Sequence, residues 1–177
     1  MSLYLVESVL TSTIKDQAAF EVKAAAIQES LSKQAATLIE IQVSKDLSRA
    51  FFIIEGQERN VINETLRSLE IPVSLIKPVR LIGQELEDVK KQADVVNYLV
   101  EWNLPENITM DQYLDRKKTN SVHYAEVPEV AFSRTYVCED MTKCLCFYDA
   151  PNESTVKKAR EAVKAPIDTI TEILPKN

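Results

Sequence analysis

Two glutamates stand inside runs that otherwise favour strand: Glu7 closes Tyr4-Leu5-Val6-Glu7, and Glu101 closes Tyr98-Leu99-Val100-Glu101. Glutamate is depleted in strands, whose surfaces reward β-branched and aromatic packing. A carboxylate that returns in the same setting can face its twin and hold a cation, or work with it as acid and base. It can equally be neutralised by a neighbouring base such as Arg134. Glu40 and Gln42 form a second polar group, matched further on by Arg134 and Tyr136. These side chains can line a cleft, or Glu40 and Arg134 can form an ion pair between the two halves, which fixes register more than it stabilises. His123 is the single histidine. It can serve as a proton donor or axial ligand, or lie solvated near a helix end. Cys138, Cys144 and Cys146 fall within nine positions. Cys-x-Cys is not the redox Cys-x-x-Cys spacing, so they read as buried, apolar-like thiols. Cys138 and Cys144 lie across a predicted hairpin, where oxidation could bridge them.

Other chemistries are excluded by composition. Only Gly56 and Gly83 are glycines, too few for a phosphate-cradling loop. One histidine rules out two-histidine zinc motifs from a single chain. A net charge of −6 across 177 residues argues against a nucleic-acid or anionic-membrane surface. No run approaches the ~20 apolar residues that span a bilayer. The start of the sequence lacks the basic and apolar pattern of a secretory signal. An odd cysteine count in a chain of this size does not suggest a secreted disulfide framework, which leaves the cytoplasm as the expected compartment.

The elements that must position these residues come in two sets. Shifting the sequence by 94 positions aligns Tyr4-Leu5-Val6-Glu7 with Tyr98-Leu99-Val100-Glu101, and Val43, Asp46, Pro72 and Ile76 with Val137, Asp140, Pro166 and Ile170. Leu47-Ser48-Arg49 matches Met141-Thr142-Lys143 in type. The pattern implies two tandem units, 1–82 and 95–177, joined by a polar helical connector at 83–94. In the first, 3–10 reads as a strand, and 15–33 as a helix with Phe20, Ala24, Ile27 and Leu31 on one face. Next come a hairpin of 35–44 and 49–54, a helix over 58–69, and a last strand over 73–82. Alternation in the second strand puts Thr37, Ile39, Ile41 and Val43 on one side and Leu38, Glu40 and Gln42 on the other. The second unit repeats the order, with strands 96–104, 130–138, 143–149 and 168–174 and helices 110–125 and 153–163. Asn152 occupies the N-cap position of the last helix. The helix at 110–125 has lost the apolar stripe of its counterpart, which implies a rotated helix or a polar pocket beneath it.

The order βαββαβ predicts an α+β, ferredoxin-like plait with helices on one face of an antiparallel sheet. Each sheet is left with a bare face. A unit of this size buries only about 60% of its unfolded surface. The expected solution packs the two bare faces together as a pseudo-dimer within one chain, with a homodimer as the other route.

The second unit carries Tyr136-Val137, Glu139-Asp140, Cys146-Phe147-Tyr148-Asp149-Ala150-Pro151, Ala165-Pro166-Ile167-Asp168 and Ile170-Thr171-Glu172, opened by Tyr98-Leu99-Val100-Glu101. This string resembles a family of small bacterial ferredoxin-like proteins of unknown function whose named representative is nickel-binding. The resemblance implies a nickel-type site and the fold. Family members commonly carry a histidine two residues before the Tyr-Val pair, and Arg134 stands there in this sequence, with Glu40 at the matching place of the first unit. A guanidinium cannot ligate a metal.

The expected function is therefore a non-enzymatic protein that binds a small molecule or metal ion between its sheets, through Glu7, Glu40, Glu101, Arg134, Tyr136 and His123. The alternatives are an enzyme of the small α+β-barrel monooxygenase type, using His123 or the paired acids, and a structural interaction module without a pocket.

Overall fold

The computed structural model describes residues 1–10, 14–91 and 95–175. The chain runs β1 (Ser2–Val9), α1 (Gln17–Ser32), β2 (Thr37–Val43), β3 (Arg49–Gly56), α2 (Arg59–Ser68) and β4 (Leu75–Ile82). A short helix, α3 (Leu86–Lys90), leads to β5 (Tyr98–Asn103) and α4 (Met110–Asn120), which tightens into a 3-10 helix at Ser121–Glu126. Then follow β6 (Ala131–Cys138), β7 (Lys143–Asp149), α5 (Glu153–Ala162) and β8 (Thr169–Glu172). Local chemistry sets the boundaries. Asp16 accepts from Ala19 N–H to start α1, Thr109 and Gln112 form a reciprocal cap on α4, and Asn152 caps α5 as its sequence position implies. Asp46 and Asp140 close the two hairpins in the same way, accepting from Ser48 N–H and Thr142 N–H at 3.0 and 3.1 Å.

The eight strands form one antiparallel sheet in the order β2-β3-β1-β4-β6-β7-β5-β8. β4 pairs with β6 over four positions, Val79–Ile82 against Thr135–Cys138. The outer strands β2 and β8 then meet at Ser44 and Ile173, with Lys45 N–H on Glu172 O and Leu174 N–H on Val43 O, both at 2.9 Å. The sheet thus curls into a barrel, and closure deals with edges that would otherwise stay unpaired. The bare faces do face each other, as the inner wall of a single continuous sheet.

Alternation sorts the apolar residues. Val6, Phe52 and Ile54 point outward beneath Phe20, Ile27 and Leu31 of α1 and Ile62 and Leu66 of α2. Val100, Trp102 and Tyr148 do the same beneath Tyr113 of α4 and Val156 and Ala159 of α5. Leu5, Phe51, Ile53, Leu99, Leu145 and Phe147 fill the barrel. The strict alternation expected for β2 fails at one place. Ile39 is an extra residue opposite β3, so Leu38 faces the helices with Ile41 while Ile39 joins Glu40 inside. Ser133 is the matching extra residue in β6, between Phe132 and Arg134. Such bulges bend and twist a strand where a barrel wall has to turn.

The connector is helical over Leu86–Lys90 only, and positions 92–94 lie outside the described residues. It is more than a spacer. Val89 is buried, and with Leu86 and Val96 it packs onto the barrel core, stopping one end. Gly83, at φ +100°, makes the turn from β4; a Cβ there would stand 3.1 Å from the Phe132 ring. In urea unfolding, Val89→Ala should cost about 2 kcal/mol, whereas Val95→Ala, at an exposed site, should change stability by no more than about 0.5 kcal/mol. Equal losses would mean that α3 does not plug the barrel.

Candidate functional site

The polar residues singled out from the sequence lie inside the barrel in two layers. Near the open end, Glu7 of β1 and Glu101 of β5 face each other, joined by two cations the sequence reading did not assign. Arg49 of β3 donates through Nη2 to Glu7 Oε1 at 2.8 Å and through Nη1 to Glu101 Oε2 at 2.8 Å. Lys143 of β7 donates to Glu7 Oε2 and Glu101 Oε1, both at 2.8 Å. Two acids and two bases make a neutral quartet. The carboxylates are thus paired with Arg49 and Lys143, not with Arg134. Burial works against the Glu101 charge, yet Arg49 and Lys143 outweigh it and hold the carboxyl below its ordinary value. The missed cations did leave a signal, since they stand 94 positions apart as the two glutamates do.

Deeper in the barrel, Glu40 and Arg134 reach across from β2 and β6. Arg134 donates through Nε to Glu40 Oε2 at 2.9 Å and through Nη2 to Oε1 at 2.7 Å, the bidentate geometry in which guanidinium and carboxylate match. Tyr136 O–H also donates to Glu40 Oε2, and Gln42 Nε2 donates to Oε1 at 2.8 Å. Each oxygen therefore accepts two donors. Burial pushes the Glu40 pKa up, but Arg134, Tyr136 and Gln42 together bring it below the usual value. Burial and the Glu40 charge push the Tyr136 phenol well up, so it stays protonated and donates.

His123 is not part of this assembly. It lies in the 3-10 helix after α4, half in solvent, with Nδ1 2.5 Å from Glu126 Oε2. The cysteines are free and buried. Cys138 faces the barrel while Cys144 and Cys146 face the helices, so Cys138 and Cys144 lie on opposite sides of the sheet and do not bridge. Among the described residues, no three His, Cys, Asp or Glu side chains are grouped as a metal site would need.

A cleft of about 360 Å³ opens where the barrel is least closed. β2 meets β8 only at Ser44, so its edge from Leu38 to Gln42 is left uncovered by strand. α1 forms the other wall through Phe20, Ala24 and Ala25, and Leu174 and Pro175 close the top, where Gln17 Nε2 donates to Pro175 O at 2.9 Å. Glu40 and Gln42 reach this cleft from the barrel side. Gln42 Oε1 is buried and has no hydrogen-bond partner among the described residues. Nothing in the local residue pattern announces this cleft, because it depends on where pairing stops.

Glu40→Gln leaves the Arg134 charge buried without its anion and should cost about 3–5 kcal/mol in urea unfolding. The double variant Glu40→Leu with Arg134→Met should be more stable than that single variant. The pair also sets an acid limit. The folded pKa of Glu40 lies below the unfolded value, so its contribution is complete above the unfolded pKa and lost as pH falls through the folded one. Stability of the unaltered protein should therefore drop more steeply than that of the double variant between about pH 5 and pH 3.

Comparison with known proteins places this geometry. No curated protein matches the chain. The crystal structure of SCO4226 from Streptomyces coelicolor covers 46% of this chain and 98% of its own, at 17% identity and a TM-score of 0.39. TA0507, provisionally assigned as a chlorite dismutase, covers 98% of this chain and 95% of its own at 13% identity and a TM-score of 0.57. A provisionally assigned monooxygenase from Lactobacillus acidophilus covers 98% and 93%, at 7% identity and a TM-score of 0.50. At such identities the last two likenesses speak for the fold alone. The family model of nickel-responsive SCO4226-like proteins matches residues 98–173, the segment from β5 to β8, so this part of the chain is similar to that family.

Proposed function

We propose that the protein binds a small organic molecule, without transforming it, in the cleft between α1 and the open edge of β2. The observation that carries this reading is the orphaned acceptor Gln42 Oε1, buried at a cleft of about 360 Å³. That volume lies in the range of small-molecule sites. A buried acceptor without a donor is costly, and a ligand N–H or O–H would relieve it. The walls from Phe20, Ala24, Ile41, Val43 and Leu174 suit an apolar body. The expected ligand is thus mostly apolar with a donor at one end. Binding is favoured over catalysis because, of the two acids that line the cleft, Glu40 is committed to Arg134 and Glu21 stands on the exposed side of α1.

Nickel is the metal that the family description implies, and the donor set does not fit it. The barrel carboxylates are spent on Arg49, Lys143 and Arg134, a guanidinium occupies the position where a ligand would be expected, and His123 lies apart from all of them. The repeated element order and the matching Asp46 and Asp140 hairpins support an origin by internal duplication, with units over 1–82 and 95–177 and a connector at 83–94. Closure within one chain supports a monomer. Three free thiols suit the reducing cytoplasm.

N-phenyl-1-naphthylamine, a neutral apolar fluorophore with one N–H, tests the site. Its fluorescence should saturate at one equivalent, be abolished by Ala24→Trp, and show roughly fivefold weaker binding in Gln42→Leu. Unchanged affinity in Ala24→Trp would reject the cleft. Calorimetry with Ni²⁺ should show no saturable site at micromolar concentrations.

A further inference from the structure

A second polar cluster lies on the outer face of the sheet, beneath α4 and α5. Cys146 of β7 is buried there. Thr135 Oγ1–H donates to its Sγ at 3.2 Å and Arg160 Nη1–H at 3.3 Å. A sulfur that accepts from a hydroxyl and from a guanidinium is in an environment that favours the thiolate. Arg160 argues the same from the other side. It is only 2% exposed, and its other partners are Tyr148 Oη at 3.1 Å and the Pro166 carbonyl at 2.5 Å. None of these is a carboxylate, so a permanent charge is buried without an acid to answer it. Its Nε has no partner at all among the described residues.

The anion could reside on sulfur or on a phenol. Burial pushes Tyr148 well up, and Tyr124, hydrogen-bonded to it at 2.6 Å, is pushed up to about 12. Both phenols stay neutral. For Cys146, the neighbouring Cys144 thiol and Arg160 outweigh burial and bring the thiol well below its ordinary value, whereas Cys144 and Cys138 are pushed up. In the first half, the residues 94 positions earlier are Phe52 for Cys146, Leu66 for Arg160 and Ala50 for Cys144. The registers agree, since Phe52 pairs with Val6 and Cys146 with Val100. An ordinary apolar core in one half has become a charged cluster in the other.

The cluster is reachable. A cleft of about 30 Å³ between α4 and α5 has Cys146 and Arg160 in its lining. That is room for a molecule of one or two heavy atoms. Arg116 and Lys117 also line it, and among the described residues no acid does, in a protein whose net charge is −6. We propose that Cys146 is a thiolate that reacts with hydrogen peroxide admitted through this cleft. The sulfur lone pair attacks one peroxide oxygen, an S–O bond forms as the O–O bond breaks, and hydroxide leaves with the bonding pair and is protonated by solvent. Sulfur is oxidised by two electrons to the sulfenic acid and the peroxide is reduced to water. Arg160 and Thr135 are positioning residues that keep the sulfur ionised.

Hydrogen peroxide is added to the full-length protein with dimedone present, and each cysteine is then read by peptide mass. Cys146 should carry the dimedone adduct and react roughly tenfold faster than Cys138, a buried thiol that burial and Asp140 push up and that accepts from no guanidinium among the described residues. Arg160→Met should slow Cys146 to the Cys138 rate. Thiolate absorbance at about 240 nm covers the case in which that variant fails to fold: the difference between the unaltered protein and Cys146→Ser should be present at neutral pH. Cys146 reacting no faster than Cys138, or a difference that develops only above about pH 8.5, would overturn the proposal.

Discussion

Charge buried inside a closed barrel must be neutralised within the barrel, and the rest of this structure follows from how that is done. Glu40 and Arg134 lie on strands at opposite places around the wall, and their bidentate contact is good only at one register and one separation. Tyr136 and Gln42 fill the remaining carboxylate lone pairs. The quartet of Glu7, Glu101, Arg49 and Lys143 ties the same two halves together at the mouth. Buried ion pairs add little net stability compared with apolar packing, because desolvation offsets attraction. Their effect is on specificity. An alternative packing of the two sheets would leave at least one of these charges alone in an apolar interior, and that penalty excludes it.

The same saturation decides where other molecules can bind. Among the described residues, an interior whose carboxylates are all engaged by cations offers no free carboxylate to a metal ion. Free binding capacity is displaced to the seams and to the space between sheet and helices. The β2–β8 seam is the weaker join, a single bridge against the four positions of β4–β6, and the orphaned Gln42 acceptor lies beside it. On the outer face, Arg160 plays the opposite part from Arg134. It is a buried cation without a carboxylate, so its neutralisation falls to a thiol.

Much of the fold is legible in the sequence because the relevant signals are local. The α1 stripe, the Asn152 cap and the paired Asp46 and Asp140 turns each depend on residues within a few positions. The inward placement of Glu40, Gln42, Arg134 and Tyr136 also follows from alternation. What fails does so for one reason, that closure is a long-range event. The bulges at Ile39 and Ser133 carry no glycine to mark them, and they answer to the curvature of a wall assembled from distant strands. Arg49 and Lys143 were visible as a matched pair, but their partners became certain only when β3 and β7 were brought to the same mouth. Leu86 and Val89 stand three positions apart in the polar linker, as on one helix face, but so short a stripe does not tell which surface it covers.

Matching positions in the two halves also explain why the barrel needs both. Glu40 and Arg134 are 94 residues apart and meet across the barrel. A barrel assembled from two first halves would bring Glu40 against Glu40, and one from two second halves Arg134 against Arg134. Either would bury like charges at contact distance, where a low dielectric magnifies repulsion. Opposite charge at this one pair of positions therefore discriminates against self-pairing by repulsion as well as favouring the mixed partner by attraction. The quartet cannot discriminate in this way, since Glu7 matches Glu101 and Arg49 matches Lys143 in charge. The choice of partner thus rests on the deeper pair, and a position that could have held a metal ligand instead holds the two halves of one chain to each other.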